Sequence, residues 1–228
     1  MQQKPIDRYP RLKARYEALE QEREAHIKLG EQMLRAGGGK LYVTDLLMLA
    51  VLKRSLDLLD AIICLTDRWN FAAAAPLLRL QIDSLLKLVY LAHLKNADVI
   101  SIAILEGKSL RNLKDSEGKR LTDARLRDYA RPLYPWLDRV YEETSKLIHL
   151  SDKHYLLTVE SVDDKRRTVQ TFIGAGDQHW PESEIDNFLD AVACTTDALL
   201  KVVLGWVISK DRAISADAET KRADWNSQ

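Results

Sequence analysis

Residues 72–95, AAAAPLLRLQIDSLLKLVYLAHLK, constrain the fold more than any other stretch of the chain. Leu77, Leu78, Leu80, Ile82, Leu85, Leu86, Leu88, Val89, Leu91 and Leu94 cover most of a helix circumference, and a helix apolar nearly all round is packed on several sides. Its span of about 36 Å crosses a small domain. Pro76 lacks an N–H, so the helix starts near Ala73 or bends there. Arg79, Asp83 and Lys87 nevertheless fall on one face, a turn apart. Buried charges must be paired. The stripe is therefore a structural ion ladder, a stripe that simply reaches water, or the wall of a polar pocket, and a pocket needs partners from other helices.

The flanking segments follow helical periodicity. Pro10 opens a charged helix over 10–36, with a thin stripe of Leu12, Tyr16, Leu19, Arg23, Ile27 and Leu34 that suits a surface helix or a dimer arm. Residues 1–9 read as a loose lead-in. Gly37, Gly38 and Gly39 stop the helix, without the Lys-Ser/Thr of a phosphate loop. Thr44 caps the next helix, with Asp45 in its first turn and Leu46, Leu49, Leu52, Leu56, Leu59 and Ile63 inward. A short link at Trp69-Asn70 makes it an antiparallel neighbour of the central helix. Asn96 caps a helix over 97–114, and Thr122 a shorter one ending before Pro132. Pro135 opens a helix on which Tyr141, Ser145 and His149 form a second polar ladder.

From His154 the period changes. HYLLTVESV and RRTVQTFIG, separated by Asp163-Asp164-Lys165, predict a β-hairpin over 154–173. A lone hairpin is marginally stable, so it must lie on the bundle or pair with another subunit. Pro181 and Glu182 begin a last long helix to about Lys210, with an acidic start suited to the helix dipole. Residues 211–228 read as a disordered tail. The fold class is thus all-α: one bundle domain over 1–210, of about six helices, with a β-hairpin inserted before the last. The thin stripe and the orphan hairpin predict a homodimer.

Composition excludes several functions. With 34 Lys+Arg against 34 Asp+Glu, no global field draws nucleic acid or anionic membrane. The segment Lys108–Arg131 holds eight Lys/Arg against four Asp/Glu, and reads as a solvated excursion or as a phosphate-contacting surface. Cys64 and Cys194 read as buried small hydrophobes in a reducing cytoplasm. The N-terminus does not resemble a signal peptide, and no apolar run reaches the ~18 residues of a membrane span.

Catalytic signatures are missing: no Gly-x-Ser-x-Gly elbow, no His-Glu-x-x-His helix and no dinucleotide fingerprint, hence no cofactor. His149 and His154 are five residues apart, and with Asp60 or Asp83 offer at best a weak metal set, so no metal is assigned. Ser145 beside His149 lacks an oxyanion hole.

The Arg79-x-x-x-Asp83 pair on a central apolar helix, with Tyr141-x-x-x-Ser145-x-x-x-His149 on a later one before a hairpin, resembles uncharacterised bacterial relatives of the HEPN superfamily, roughly from Thr44 to Ser209. That superfamily includes RNA-cleaving toxins, defence-system ribonucleases and nucleotide-binding modules, usually dimeric. Its nuclease signature, Arg followed after four to six residues by His, is absent. The resemblance implies a cytoplasmic accessory protein of stress or phage defence, in which Arg79, Asp83, Tyr141, Ser145 and His149 hold the bundle together or bind a small anion such as a nucleotide. Two alternatives stand beside it. One is a metal-independent ribonuclease or toxin using Arg79 to stabilise phosphate charge and His149 as acid or base. The other is a purely structural oligomer-forming protein.

Overall fold

The computed structural model describes residues 3–149, 151–173, 176 and 180–226, and the side chains of all these except 153, 156, 157 and 214–226. In chain order the elements are α1 (Pro5–Arg8), a 3₁₀ turn, α2 (Lys13–Arg35), α3 (Val43–Thr66), α4 (Phe71–Ala92), α5 (Asp98–Leu105), α6 (Asp123–Ala130), α7 (Leu137–Ile148), α8 (Asp152–Thr158), β1 (Val159–Asp163), β2 (Thr168–Thr171) and α9 (Glu182–Asn226). The class is the all-helical bundle with a hairpin before the last helix. Among the described residues there are nine helices against the about six expected, two of them, α1 and α8, short additions of 4 and 7 residues.

The central helix is α4, which packs against α3, α6, α7 and α9. It begins at Phe71, where Asn70 caps it by accepting the Ala73 N–H (3.2 Å), and Pro76 lies inside it. The turn from α3 is closed by Trp69 N–H to Thr66 O and Asn70 N–H to Leu65 O, at 2.9 Å each. This double closure places its pivot in the left-handed region, normally a glycine's place, yet Trp69 occupies it at φ 62°. The strain of about 1–2 kcal/mol is outweighed by burial. The indole is 1% exposed, donates to Gln3 O (2.6 Å) and begins an aromatic cluster of Tyr9, Phe71, Trp180 and Phe188. Gln3 to Tyr9 are therefore tied to the turn and are not a loose lead-in.

The inner stripe of α2 also differs from expectation. Tyr16, Leu19, His26, Leu29 and Met33 face α3 and α9, while Ile27 and Leu34 are exposed. Burial of His26 costs little because every polar atom of its ring is satisfied. Nδ1 is 2.7 Å from the Glu22 carbonyl, which can only accept, so Nδ1 carries the proton. Nε2 then accepts from the Ser55 hydroxyl at 2.7 Å, and Ser55 Oγ accepts from Gln81 Nε2. Burial pushes the imidazole pKa below its usual 6.5, against upward pulls from the Glu22 carbonyl and Asp60. The unfolded chain thus binds this proton more readily than the folded one. The His26 contribution is full above about pH 6.5 and is lost as pH falls from there toward the folded value. Thermal melting of wild type is expected to drop between about pH 7.5 and 5.5, and more steeply than that of His26→Gln. Equal slopes in the two proteins would show that the imidazole does not titrate in this way.

Other expectations are corrected. Gly107, at φ 79°, breaks the helix expected over 97–114 into α5 and a 3₁₀ turn at Leu110–Asn112. His154–Thr158, expected as strand, is helical: Asp152 supplies an acidic first turn, and β-propensity yields to context. The remaining strands pair antiparallel, Val162 opposite Val169, with a bulge between Val159 and Ser161. Cys64, expected buried, is exposed. The last helix runs past Lys210 to Asn226, through most of the expected tail. Over Glu182–Ala213, α9 also contains an 18-residue window of mean hydropathy 1.7, long and apolar enough to cross a membrane, against the expectation of no such run. Within this fold it serves as a core helix against α2 and α4, burying Ile185, Leu189, Val192, Leu199 and Val203.

Candidate functional site

The two polar ladders meet. Arg79 is 6% exposed on the face of α4 covered by α6 and α7. Its Nη1 donates to Asp83, its Nε to Ser145 Oγ (3.2 Å) and its Nη2 to Asp123 Oδ2 (3.2 Å). The guanidinium carbon lies 3.6 Å from the centre of the Tyr141 ring. That contact combines packing with cation–π attraction. Tyr141 in turn donates its hydroxyl to Asp123 Oδ2 (3.2 Å), and Ser145 donates to the Tyr141 carbonyl (2.6 Å).

A second guanidinium, Arg127, sits 4.3 Å from the same ring and pairs with Asp138 at 3.3 Å and Glu142 at 3.9 Å. Two residues of this cluster, Asp123 and Arg127, escape the sequence reading. Their only local signal is the N-cap Thr122, which accepts the Arg125 N–H at 3.4 Å and starts α6, so that Asp123 falls in its first turn.

His149 is not drawn in. It is the exposed residue that ends α7, in extended conformation. His154 accepts the Ser151 N–H at Nδ1 (3.3 Å). Asp60 pairs with Arg23. No group of three or more metal-ligating side chains occurs among the described residues. Lys87, the third member of the first ladder, reaches the surface. Its ammonium is pulled down by desolvation where it meets the protein and then by Arg54, although the side chain as a whole is exposed.

The basic segment is mostly neutralised. Lys108, Lys119, Arg125, Arg127 and Arg131 all have carboxylate partners. Its anchor is Asp115, which accepts the Glu117 and Lys119 N–H groups at 2.9 Å and Arg125 Nε at 2.6 Å. Burial of the carboxylate alone would push its pKa up. Arg125 and the two backbone donors more than reverse this and hold it at about 2. Only Arg111, Lys114 and Arg120 are left exposed and without a carboxylate partner among the described residues.

On the other side of α7 lies a cleft of about 590 Å³ between α4, α7 and α9. Leu78, Val140, Leu147, Trp180, Phe188 and Ala191 make it apolar, and Arg139, Glu143 and Glu184 stand among its polar lining. A third feature is an ion pair at the far end of the bundle. Lys210 Nζ lies 2.7 Å from Asp45 Oδ2, and Asp45 also accepts from Trp206 Nε1 (2.7 Å) and the Tyr42 N–H (2.8 Å). Asp45 thus belongs to a clasp between α3 and α9. Tyr42 is the N-cap, and Thr44, the expected cap, instead donates to Asp98.

Comparison with protein-family models, curated proteins and solved structures returns no match. The class that can be stated is a helical bundle with a buried arginine–carboxylate cluster and a hairpin standing off its surface.

Proposed function

We propose that this chain is a non-catalytic, HEPN-like accessory protein of the bacterial cytoplasm that works by self-assembly, with the Arg79 cluster as the lock of its bundle. One observation supports this above the others: each of the three guanidinium nitrogens of Arg79 already has a protein partner. A nucleotide or RNA phosphate would have to displace Asp83 or Asp123 to reach it. The two guanidiniums of the cluster also face four carboxylates, which disfavours an anionic guest. The ribonuclease alternative needs a free Arg79 and an inward His149, whereas His149 is exposed at the end of its helix. The setting in stress or phage defence rests on the resemblance alone.

The test is thermal melting of wild type with inorganic phosphate, a panel of nucleotides and single-stranded RNA, alongside an RNA-cleavage assay. No ligand is expected to raise the melting temperature, and His149→Ala is expected to melt with wild type. A saturable rise in wild type that is lost in Arg79→Lys would overturn the reading, because a ligand that binds the native state must stabilise it. So would RNA cleavage abolished by His149→Ala.

A further inference from the structure

The hairpin and the cleft are two unsatisfied surfaces of one chain. In the hairpin only Val159 is partly covered. Val162 and Val169, directly opposite one another, are 59% and 55% exposed, and Ile173 just beyond β2 is 95% exposed. A two-stranded sheet without a covered face is marginal in water. The cleft is mostly apolar and long enough for the central part of a strand. The stretch of α7 that lines it, Arg139 to Leu147, spans about 12 Å, room for about four residues of an extended strand.

Charge agrees with shape. The hairpin tip, residues 163–167, carries Lys165, Arg166 and Arg167 against Asp163 and Asp164, all exposed, a net charge of +1, and Arg166 reaches Asp163 at 3.8 Å. The cleft is lined by Glu143 and Glu184, with Arg139 as its one cation, and Glu184 has no ion pair among the described residues. The hairpin also lies in sequence between α7–α8 and α9, and α7 and α9 are two walls of the cleft. A reciprocal exchange about one two-fold axis therefore covers both surfaces in both copies and leaves nothing open to propagate.

We propose that two copies of this chain exchange hairpins, each arm laying Val162, Val169 and Ile173 into the partner's cleft with its cationic tip against the partner's Glu184. This deepens, and rests on, the self-assembly reading above.

Sedimentation velocity of the full chain across the micromolar range tests it. Wild type is expected at twice the 26.1 kDa chain mass. Val162→Glu with Val169→Lys removes the apolar face but keeps an attractive cross-strand pair. That variant should retain the wild-type helical circular dichroism and self-associate about tenfold more weakly or worse. Lys165→Glu with Arg166→Glu should also weaken association, and adding Glu184→Arg in the same chain should restore it. A dimer indifferent to the valine changes, or charge changes that the swap does not rescue, would overturn the arm exchange and leave self-assembly standing. A monomer at every concentration would overturn both.

Discussion

Replacing Asp45 with alanine is expected to destabilise the protein by about 3–5 kcal/mol, the largest effect of any single polar substitution here. The side chains of Lys210 and Asp45 are 1% and 0% exposed, so removing the carboxylate strands an ammonium that water cannot reach. The Met33 carbonyl at 3.3 Å is its only other acceptor among the described residues. The Trp206 and Tyr42 N–H groups lose their acceptor at the same time. In a chain of this length such a loss corresponds to a fall in melting temperature of roughly 6–20 °C. The informative comparison is Asp45→Asn with Lys210→Met. The single amide oxygen still accepts from one of the two donors, Trp206 or Tyr42, and no charge remains buried, so a substantial part of the stability should return. Urea midpoints for the single and double variants decide it. A double variant as unstable as Asp45→Ala would mean that the loss lies in packing and not in the stranded charge.

Removing the Arg79 side chain comes next, at about 3 kcal/mol for Arg79→Met. The cost is smaller than at Asp45 because the carboxylates left behind, Asp83 and Asp123, are 28% and 46% exposed and can take up water. What is lost is a charged hydrogen-bond set and the stacking on Tyr141. Arg79→Lys should recover less than half, since an ammonium cannot reach Ser145, Asp83 and Asp123 at once or lie flat on the ring. A double-mutant cycle of Arg79→Met with Asp123→Asn should show coupling of about 1 kcal/mol or more. An arginine kept for a ligand instead of for the fold predicts little loss, or a gain, when it is removed. A stable Arg79→Met variant would therefore sink the structural role.

The elements that follow one strong period were legible in the sequence. The central α4, the cap at Thr122 and the meeting of Arg79 with Tyr141 and Ser145 all depend on four-residue spacing or on one turn of backbone. The misreadings have physical causes. In α2 the apolar Ile27 and Leu34 suggest the inner face, but His26 and Met33 take it, because Ser55 and the Glu22 carbonyl make a buried imidazole affordable. Nothing local marks Asp45 and Lys210 as partners, since their bond closes a sequence separation of 165 residues. At Trp69 a left-handed turn hides behind a residue that seldom adopts it, and only the surrounding rings explain its presence. His149 fits its ladder by spacing, yet α7 ends just before it and its own backbone is extended, so it leaves the helical face.

The two fastenings of the bundle answer differently to temperature. The 24 residues of α3 separate the aromatic cluster around Trp69 from the Asp45–Lys210 clasp by about 36 Å. Apolar contact weakens on cooling. The hydration that a buried ion pair forgoes is worth less on warming. Cold therefore loosens the Trp69 end first, where the N-terminal residues are pinned and the cleft opens beside Trp180 and Phe188. Heat shifts the balance toward the ionic end as the firmer of the two. The molecule has no single weakest point, and which end frays is set by the temperature at which it works.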